Sequence, residues 1–292
     1  MVNASPDSLN EDSIATTPDA AVARAQQLLA DGADAIDVGG QGSTDIATVV
    51  AWDEEWERLA PIVPSLAGLG VDVSIDTWRP QVARRALEAG ATVLNAADGM
   101  QDAAMWEVAA DFDVPIVVPF LSGPDPRRME HVARDPVETI LEFFTARLAD
   151  ADRYGRRDHC ILDPGTGFAP PNWPWEERYR YQKRVYSNLD ALRRFGRPVY
   201  IALPWKETTQ HDELLELVVR QQPEYARAHY PRKVRQFEQR LLGHASGPRA
   251  WMPSVPTVDS QPRGQRSGAT SNSGASTKAT LGVARIRDRQ VG

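Results

Sequence analysis

The chain has one cysteine, Cys160, in 292 residues. A disulfide framework is therefore excluded, and this thiol, at the start of an apolar run, reads as a small buried hydrophobe. No apolar run approaches the roughly 20 residues needed to cross a bilayer. The opening MVNASPDS has neither a basic segment nor an apolar one, so no signal peptide is expected and the cytoplasm is the default compartment. The histidines His131, His159, His211, His229 and His244 show no HExxH or similar ligand spacing, which argues against a zinc site. Neither a GxxxxGK(S/T) loop nor GxGxxG occurs, so nothing signals a nucleoside triphosphate or a dinucleotide. Positive charge is in the minority, with a formal net charge of −7, and no basic stripe interleaves with aromatics. That argues against nucleic acid as a partner.

With 42% hydrophobic and 25% charged residues, the composition is that of a soluble globular protein. Short apolar runs at 35–38, 71–75, 92–94, 114–118, 160–162 and 199–203 read as strands. Most are unbroken, as strands buried on both faces should be; 71–75 alternates through Asp72 and Ser74. Helix-period stretches separate them. Thr17-Pro18 and Asp135-Pro136 each place a capping side chain before a first-turn proline. From about Asp19, Val22, Ala25, Leu28 and Leu29 share a helix face, and Gly32 and Gly90 mark stops before the next strands. Such repetition gives a parallel sheet with crossover helices.

Two closures fit, a doubly wound open sheet or a barrel. Polar residues end nearly every strand, and only a barrel gathers all those ends at one mouth. The expected fold is therefore α/β, a (β/α)₈ TIM-type barrel over residues 1–243. Its first strand would cover only residues 1–3, and no eighth strand is apparent, because 211–242 reads as helices. Residues 244–292 are rich in Ser, Gly, Thr and Pro and read as a low-complexity, disordered tail; only LGVARIRDRQ at its end could form a strand.

Four strand ends carry Asp76 in VSIDT, Asn95 in TVLNA, Asp163 in CILDPGTGF and Lys206 in YIALPWK. One carboxylate can accept two adjacent N–H donors, while an amide or ammonium serves nearby acceptors. A pterin ring presents such an edge. Bland readings exist for each residue. Asp76 could belong to a turn before a helix at Arg79, Asn95 could end a strand, Asp163-Pro164-Gly165 is a turn signature, and Lys206 could begin a helix. Asp37 reads as support for the mouth through hydrogen bonds to loop backbone.

VNASPDS, IDVGG, SIDT and LDPGTGF, in this order on successive βα units, resemble the dihydropteroate synthase family of pterin-binding barrels over roughly residues 1–206. The family's segments read NVTPDSF, IDVGGESTRPG, SIDT, IIND, DPGFGF and SRK. The resemblance implies condensation of 6-hydroxymethyl-7,8-dihydropterin pyrophosphate with p-aminobenzoate in folate biosynthesis, with Mg²⁺ assisting pyrophosphate departure. It assigns the pterin to Asp76, Asn95, Asp163, Phe168 and Lys206, and metal and pyrophosphate contact to Asn3. Asn3 and Lys206 would be the catalytic pair. It places Asp7, Ser8, Ser43 and Thr44 in loops near the pyrophosphate and acceptor, and implies a homodimer through the outer helices.

The sequence also departs from that pattern. The second loop reads GGQGSTDIA and lacks the arginine, the family's MHM is Pro119-Phe120-Leu121, and Pro204-Trp205 replace the serine and arginine before the lysine. Asn95 is followed by Ala96, with Asp98 two positions on. The last strand's RVHD, which holds pyrophosphate, has only Arg285, Arg287 and Asp288 as a remote counterpart. Arg127 and Arg128 are candidate replacement cations. The segment 172–186, with Trp173, Trp175, Tyr179, Tyr181 and Tyr186, replaces a short lysine-bearing loop; it reads chiefly as packing, with a stacking lid as the minor alternative. Three functions stay open: the synthase reaction, a non-catalytic pterin- or folate-binding paralogue, and a barrel enzyme using a related pterin with another acceptor.

Overall fold

The computed structural model describes residues 1–8, 10–43, 47–168, 173–204 and 206–243. The tail from 244, including Arg285, Arg287 and Asp288, lies outside the described residues, as do Thr44 and Trp205. Strand and helix alternate as the patterning requires. After β1 (Val2–Asn3) come α1 (Pro18–Ala30), β2 (Ala35–Gly39), α2 (Trp52–Leu59), α3 (Ile62–Ala67) and β3 (Asp72–Thr77). Next are α4 (Pro80–Glu88), β4 (Val93–Ala96), α5 (Ala103–Phe112), β5 (Ile116–Pro119), α6 (Pro136–Arg153) and β6 (Cys160–Asp163). The chain then forms α7 (Trp175–Tyr186), α8 (Asp190–Arg193), β7 (Tyr200–Ala202), α9 (Thr209–Gln221), β8 (Tyr225–Arg227) and α10 (Pro231–Leu242).

The caps act as expected. Thr17 accepts the Ala20 N–H at 3.3 Å, and Asp135 Oδ1 accepts the N–H groups of Val137 and Glu138 at 2.9 and 3.2 Å. β1 to β6 pair in parallel in sequence order, and β7 pairs in parallel with β8. A parallel bridge between Leu162 and Val199 carries the wall from β6 to β7. The result is the expected (β/α)₈ barrel.

One expectation fails. The stretch 211–242 is not all helix, because β8 interrupts it. Gln222, at φ +50, ends α9, and Pro223 and Pro231 bracket the segment between the helices. β8 has three residues, no β-branched side chain and an arginine. Such a strand has little intrinsic signal; pairing with β7 makes it.

Alternation along the strands divides the molecule. Outward side chains such as Ile36, Val38, Val73 and Ile75 join the helices in the large core. Inward side chains Val93, Val117, Ile161, Tyr200 and Tyr225 form a separate apolar plug inside the barrel. Two residues further along these strands stand Asn95, Pro119, Asp163, Ala202 and Arg227. The apolar plug thus becomes the floor of a polar layer at the C-terminal mouth. Cys160 is buried as expected, and burial pushes its thiol up to about 12.

β8 and β1 close the barrel differently. Among the described residues no backbone ladder joins them, since β1 pairs with β2 only at Val2–Val38 and Asn3–Gly39. A cavity of about 160 Å³ lies at this joint, between β8 and the first half of β2.

Candidate active site

Register places the polar layer. Gly39 is opposite Asp76, and Asp76 is opposite Asn95, while Asp163 pairs with Pro119. Asp37 stands one layer lower, opposite Ser74. Its Oδ1 accepts the Ser74 hydroxyl at 2.7 Å and the Asn95 amide at 3.2 Å. The expectation that Asp37 bonds loop backbone is therefore corrected: it organises the barrel interior through side chains of neighbouring strands. Arg227, from β8, reaches this layer and donates to Asp76 Oδ2 at 2.8 Å and Asp37 Oδ2 at 3.4 Å.

Burial makes these carboxylates unusual. Asp163 is 4% exposed, and desolvation pushes its carboxyl up to about 7 against the opposing pull of the Gly165 N–H and Arg227. Asp76 is likewise raised to about 7, by desolvation first and then by Asp37, with Arg227 opposing. Both would carry a proton much of the time near neutrality and would lose it to a cationic or N–H-rich ligand. Asp98 is also raised by burial, to about 6, but it accepts the Met100 and Asp102 N–H groups at 3.1 and 3.0 Å. Its role is to shape the turn into α5.

Above the polar layer opens a cavity of about 400 Å³. Asn3, Asp7, Ser8, Ser43, Asp76, Phe168 and Lys206 line it, so seven of the sequence-derived residues converge there. Asn95 and Asp163 lie in the buried layer and are not among its lining residues. The DPG turn depends on Gly165, which sits at φ +70, and a Cβ there would lie 2.0 Å from the Phe120 carbonyl oxygen. Only glycine lets the turn pack against β5's exit. The aspartate of the turn accepts the Gly165 N–H at 2.9 Å.

Loops over the mouth are tied together. Asn3 Nδ2 donates to Ser8 Oγ at 3.0 Å and Ser13 Oγ at 2.6 Å, holding the first loop. Asp7 Oδ2 accepts the Thr48 N–H at 3.1 Å, linking the first loop to the second. Gln41, where the family pattern has glutamate, spans the second loop by donating to Thr48 O at 2.8 Å and accepting from Val50 N at 2.9 Å. Arg127, an expected replacement cation, lines the cavity and donates to the Ala47 carbonyl. Arg128 instead pairs with Asp125 on the exposed surface.

Sequence reasoning missed two lining residues on β8 and its exit, Arg227 and His229. Burial and the Arg227 charge push His229 down to about 3, so its imidazole is neutral near pH 7. Arg227-Ala228-His229 reproduces the arginine and histidine of RVHD at the same spacing, with Tyr230 in place of its aspartate. The remote candidates Arg285, Arg287 and Asp288 lie outside the described residues, and Arg227-Ala228-His229 is a second counterpart within them. The signal was present, an R-x-H between two prolines, but it was hidden in a stretch read as helix.

The aromatic segment divides. Tyr186 is fully buried in the core, whereas Trp173 and Trp175 line the cavity, so packing accounts for only part of it. Trp175 stacks on His211 with centroids 4.4 Å apart and planes at 6°.

Among the described residues no group of three or more His, Cys, Asp or Glu side chains could hold a metal ion. Mg²⁺, however, commonly keeps waters and binds through one or two protein oxygens plus substrate phosphates. Asn3 fits that mode: its amide nitrogen is committed to two serines, which leaves Oδ1 as its available donor atom to a cation.

A parallel βα barrel with a deep polar mouth built from strand ends and loops defines a small-molecule enzyme scaffold. Residues 1–223 match the Pterin binding enzyme family. The chain is 34% identical over 209 residues to dihydropteroate synthase type-2 of Escherichia coli, covering 70% of this chain and 75% of that protein. It is 33% identical over 204 residues to the dihydropteroate synthase of Staphylococcus haemolyticus, covering 69% and 72%. The Thermus thermophilus dihydropteroate synthase solved with 4-aminobenzoate superposes with a TM-score of 0.67 at 28% identity, covering 83% and 90%. The Yersinia pestis enzyme, solved with a sulfonamide drug, gives a TM-score of 0.72 at 23% identity over 83% and 91%, a likeness of fold. The chain belongs to the dihydropteroate synthase family of pterin-binding enzymes. No described helix is long and apolar enough to cross a membrane.

Proposed function

We propose that this chain is a transferase that joins 6-hydroxymethyl-7,8-dihydropterin pyrophosphate to p-aminobenzoate, giving dihydropteroate and pyrophosphate. The observation that carries this reading is the meeting of two motif halves at one mouth, the interior set from SIDT and LDPGTGF with Arg227 and His229 from β8. The case for a binding-only paralogue rests on the altered second loop and the missing last-strand motif, and Arg227-Ala228-His229 weakens the second of these.

In this reading Asp163 accepts the 2-amino and N3 donors of the pterin and must be ionised to take both. Asn95 bonds the same ring edge, Lys206 donates to ring acceptors, and Phe168 packs beside the ring. Asp76 fixes Arg227 beneath the ring. The aminobenzoate nitrogen uses its lone pair to form a C–N bond at the exocyclic methylene as the C–O bond to pyrophosphate breaks. The nitrogen then releases one proton to solvent or to the departing pyrophosphate. Asn3, Ser8 and neutral His229 face the leaving group, with Asp7 and Ser43 shaping the loops around it. Mg²⁺, held by Asn3 Oδ1 together with pyrophosphate oxygens, would neutralise the charge that develops on departure. Thr44 belongs to the same loop by sequence. A cytoplasmic setting and a homodimer are part of this reading, the first supported by the single cysteine and the second by the family resemblance.

The test is mass-monitored formation of dihydropteroate from the two substrates and Mg²⁺. Product that disappears in Asp163→Ala supports the assignment. No product at high protein concentration would remove the synthase reading and leave a pterin-binding protein or an enzyme with another acceptor.

A further inference from the structure

The mouth contains a cation that neither the family pattern nor the proposed chemistry uses. Arg178 lies on α7, in the segment that replaces the short lysine-bearing loop, and lines the cavity. Its Nη2 donates to the Gly167 carbonyl at 3.3 Å, its Nε is buried without a partner, and it pairs with no carboxylate among the described residues. The surrounding arginines are engaged otherwise: Arg184, two turns along α7, pairs with Asp135 at 3.0 Å. A partly buried guanidinium without a counter-ion is costly, and the deficit is met when an anion arrives.

Position selects the anion. Gly167 precedes Phe168 on the β6 side of the mouth, whereas Asn3 and His229 stand at the ends of β1 and β8. Arg178 and Lys206 both act on His211, holding its imidazole below the usual range after burial has done so first. Arg178 and Lys206 line the same cavity as His211 and Trp175, whose rings stack. A guanidinium accepts a carboxylate or a phosphate alike, but Trp173 and Trp175, just before and on α7, line the same cavity and suit the ring of an arylcarboxylate.

Resting on the synthase reading, we propose that Arg178 binds the carboxylate of the aminobenzoate acceptor and sets the preference for an acidic acceptor. The inserted segment then has a function beyond packing: it supplies a clamp from α7 in a chain whose second loop and lysine-bearing strand end both lack the family's arginines.

The experiment compares p-aminobenzoate with 4-aminobenzamide in the wild type, Arg178→Ala and Arg178→Lys. The amide keeps the ring and the nucleophile but loses the charge. Arg178→Ala should raise the KM for the acid roughly 10- to 100-fold, as loss of a charge-assisted hydrogen bond does. The KM for the amide and for dihydropterin pyrophosphate should stay within about twofold, and Arg178→Lys should fall between. The acid-to-amide ratio does not depend on how much variant is folded, so a poorly folding variant still reports. An unchanged ratio overturns the proposal, as does a rise confined to the KM of dihydropterin pyrophosphate. If the wild type turns over neither acceptor, calorimetric binding of the same pair, with dihydropterin and pyrophosphate present, gives the ratio without chemistry. Acid preference lost in Arg178→Ala would then uphold the clamp while the synthase reading fails; no preference in the wild type would overturn the clamp itself.

Discussion

Arg227 Nη1 lies 2.8 Å from Asp76 Oδ2, across 151 residues of sequence, and the same nitrogen is 3.4 Å from Asp37 Oδ2. Two carboxylates from β2 and β3 thus share one guanidinium from β8 in the barrel interior. Removing that cation strands buried negative charge. Arg227→Met should cost on the order of 3–5 kcal/mol of stability near pH 8. The loss should be smaller near pH 5, because the Asp76 carboxyl, raised to about 7, is then protonated and needs no counter-ion. Denaturant melts at the two pH values measure this, and equal losses at both would contradict it.

Asp163 makes the unliganded protein sensitive to pH in a direction opposite to most surface carboxylates. Its folded value of about 7 exceeds the ordinary 3.8, so the folded state holds a proton that the unfolded chain has released. That contribution to stability is complete below the ordinary value, and it is lost as pH rises toward 7. His229, held down to about 3, works the other way, since its contribution is lost as pH falls from 6.5. Comparing the wild type with Asp163→Asn cancels the histidine. The variant should gain on the wild type by roughly 2–4 kcal/mol between pH 4 and pH 8. Parallel stability curves would show that Asp163 is not the group responsible.

Pterin binding should carry the same signature in reverse. A ring that offers two N–H donors needs the ionised carboxylate, so binding below about 7 must expel a proton from Asp163. Affinity for 6-hydroxymethylpterin should fall about tenfold for each pH unit below that point. Calorimetry in two buffers of different ionisation enthalpy should detect the released proton. Asp163→Asn should abolish both the pH dependence and most of the affinity, which would make it a more stable protein with no function.

Gly165 and Gly196 form a matched pair for testing the DPG turn. Both have positive φ, +70 and +65, but a Cβ at Gly196 meets nothing within 4 Å, whereas one at Gly165 would be 2.0 Å from Phe120 O. Gly196→Ala should cost only about 1–2 kcal/mol, the penalty of the left-handed conformation. Gly165→Ala adds a steric clash with backbone and should cost at least about 2 kcal/mol more, with loss of pterin binding. Thermal melts of the two variants compare them directly.

Sequence alone was informative wherever one residue type had one job. Most strands from β2 to β7 announced themselves through short apolar runs, with β3 the alternating exception, and the caps at Thr17 and Asp135 through short-range chemistry. Asp76, Asn95 and Asp163 were legible because a polar residue ending a buried strand is costly unless a ligand or a neighbour meets it. β8 was illegible because Tyr225–Arg227 exists through pairing with β7, and pairing across the barrel leaves no local trace. Asp37 was read correctly as structural but given the wrong partners, since Ser74 and Asn95 become its neighbours only in register. Arg178 could not be found at all: nothing distinguishes it from Arg180 or Arg184 until burial and the lack of a counter-ion are known.

The barrel is a hoop whose ends meet without a hydrogen-bonded ladder among the described residues. Charged and polar side chains act as its clasp. Arg235 reaches Asp34 at 3.0 Å and the Gly32 carbonyl at 2.9 Å, Arg24 reaches the His229 carbonyl at 3.2 Å, and Tyr230 reaches Asp12 at 3.0 Å. Contacts of this kind weaken with ionic strength, while the paired strands opposite do not. The ring is thus fastened unevenly: concentrated salt weakens this joint more than the laddered strands from β1 to β6. That point adjoins Arg227 and His229, so the part of the mouth proposed to face pyrophosphate rides on the edge of the opening.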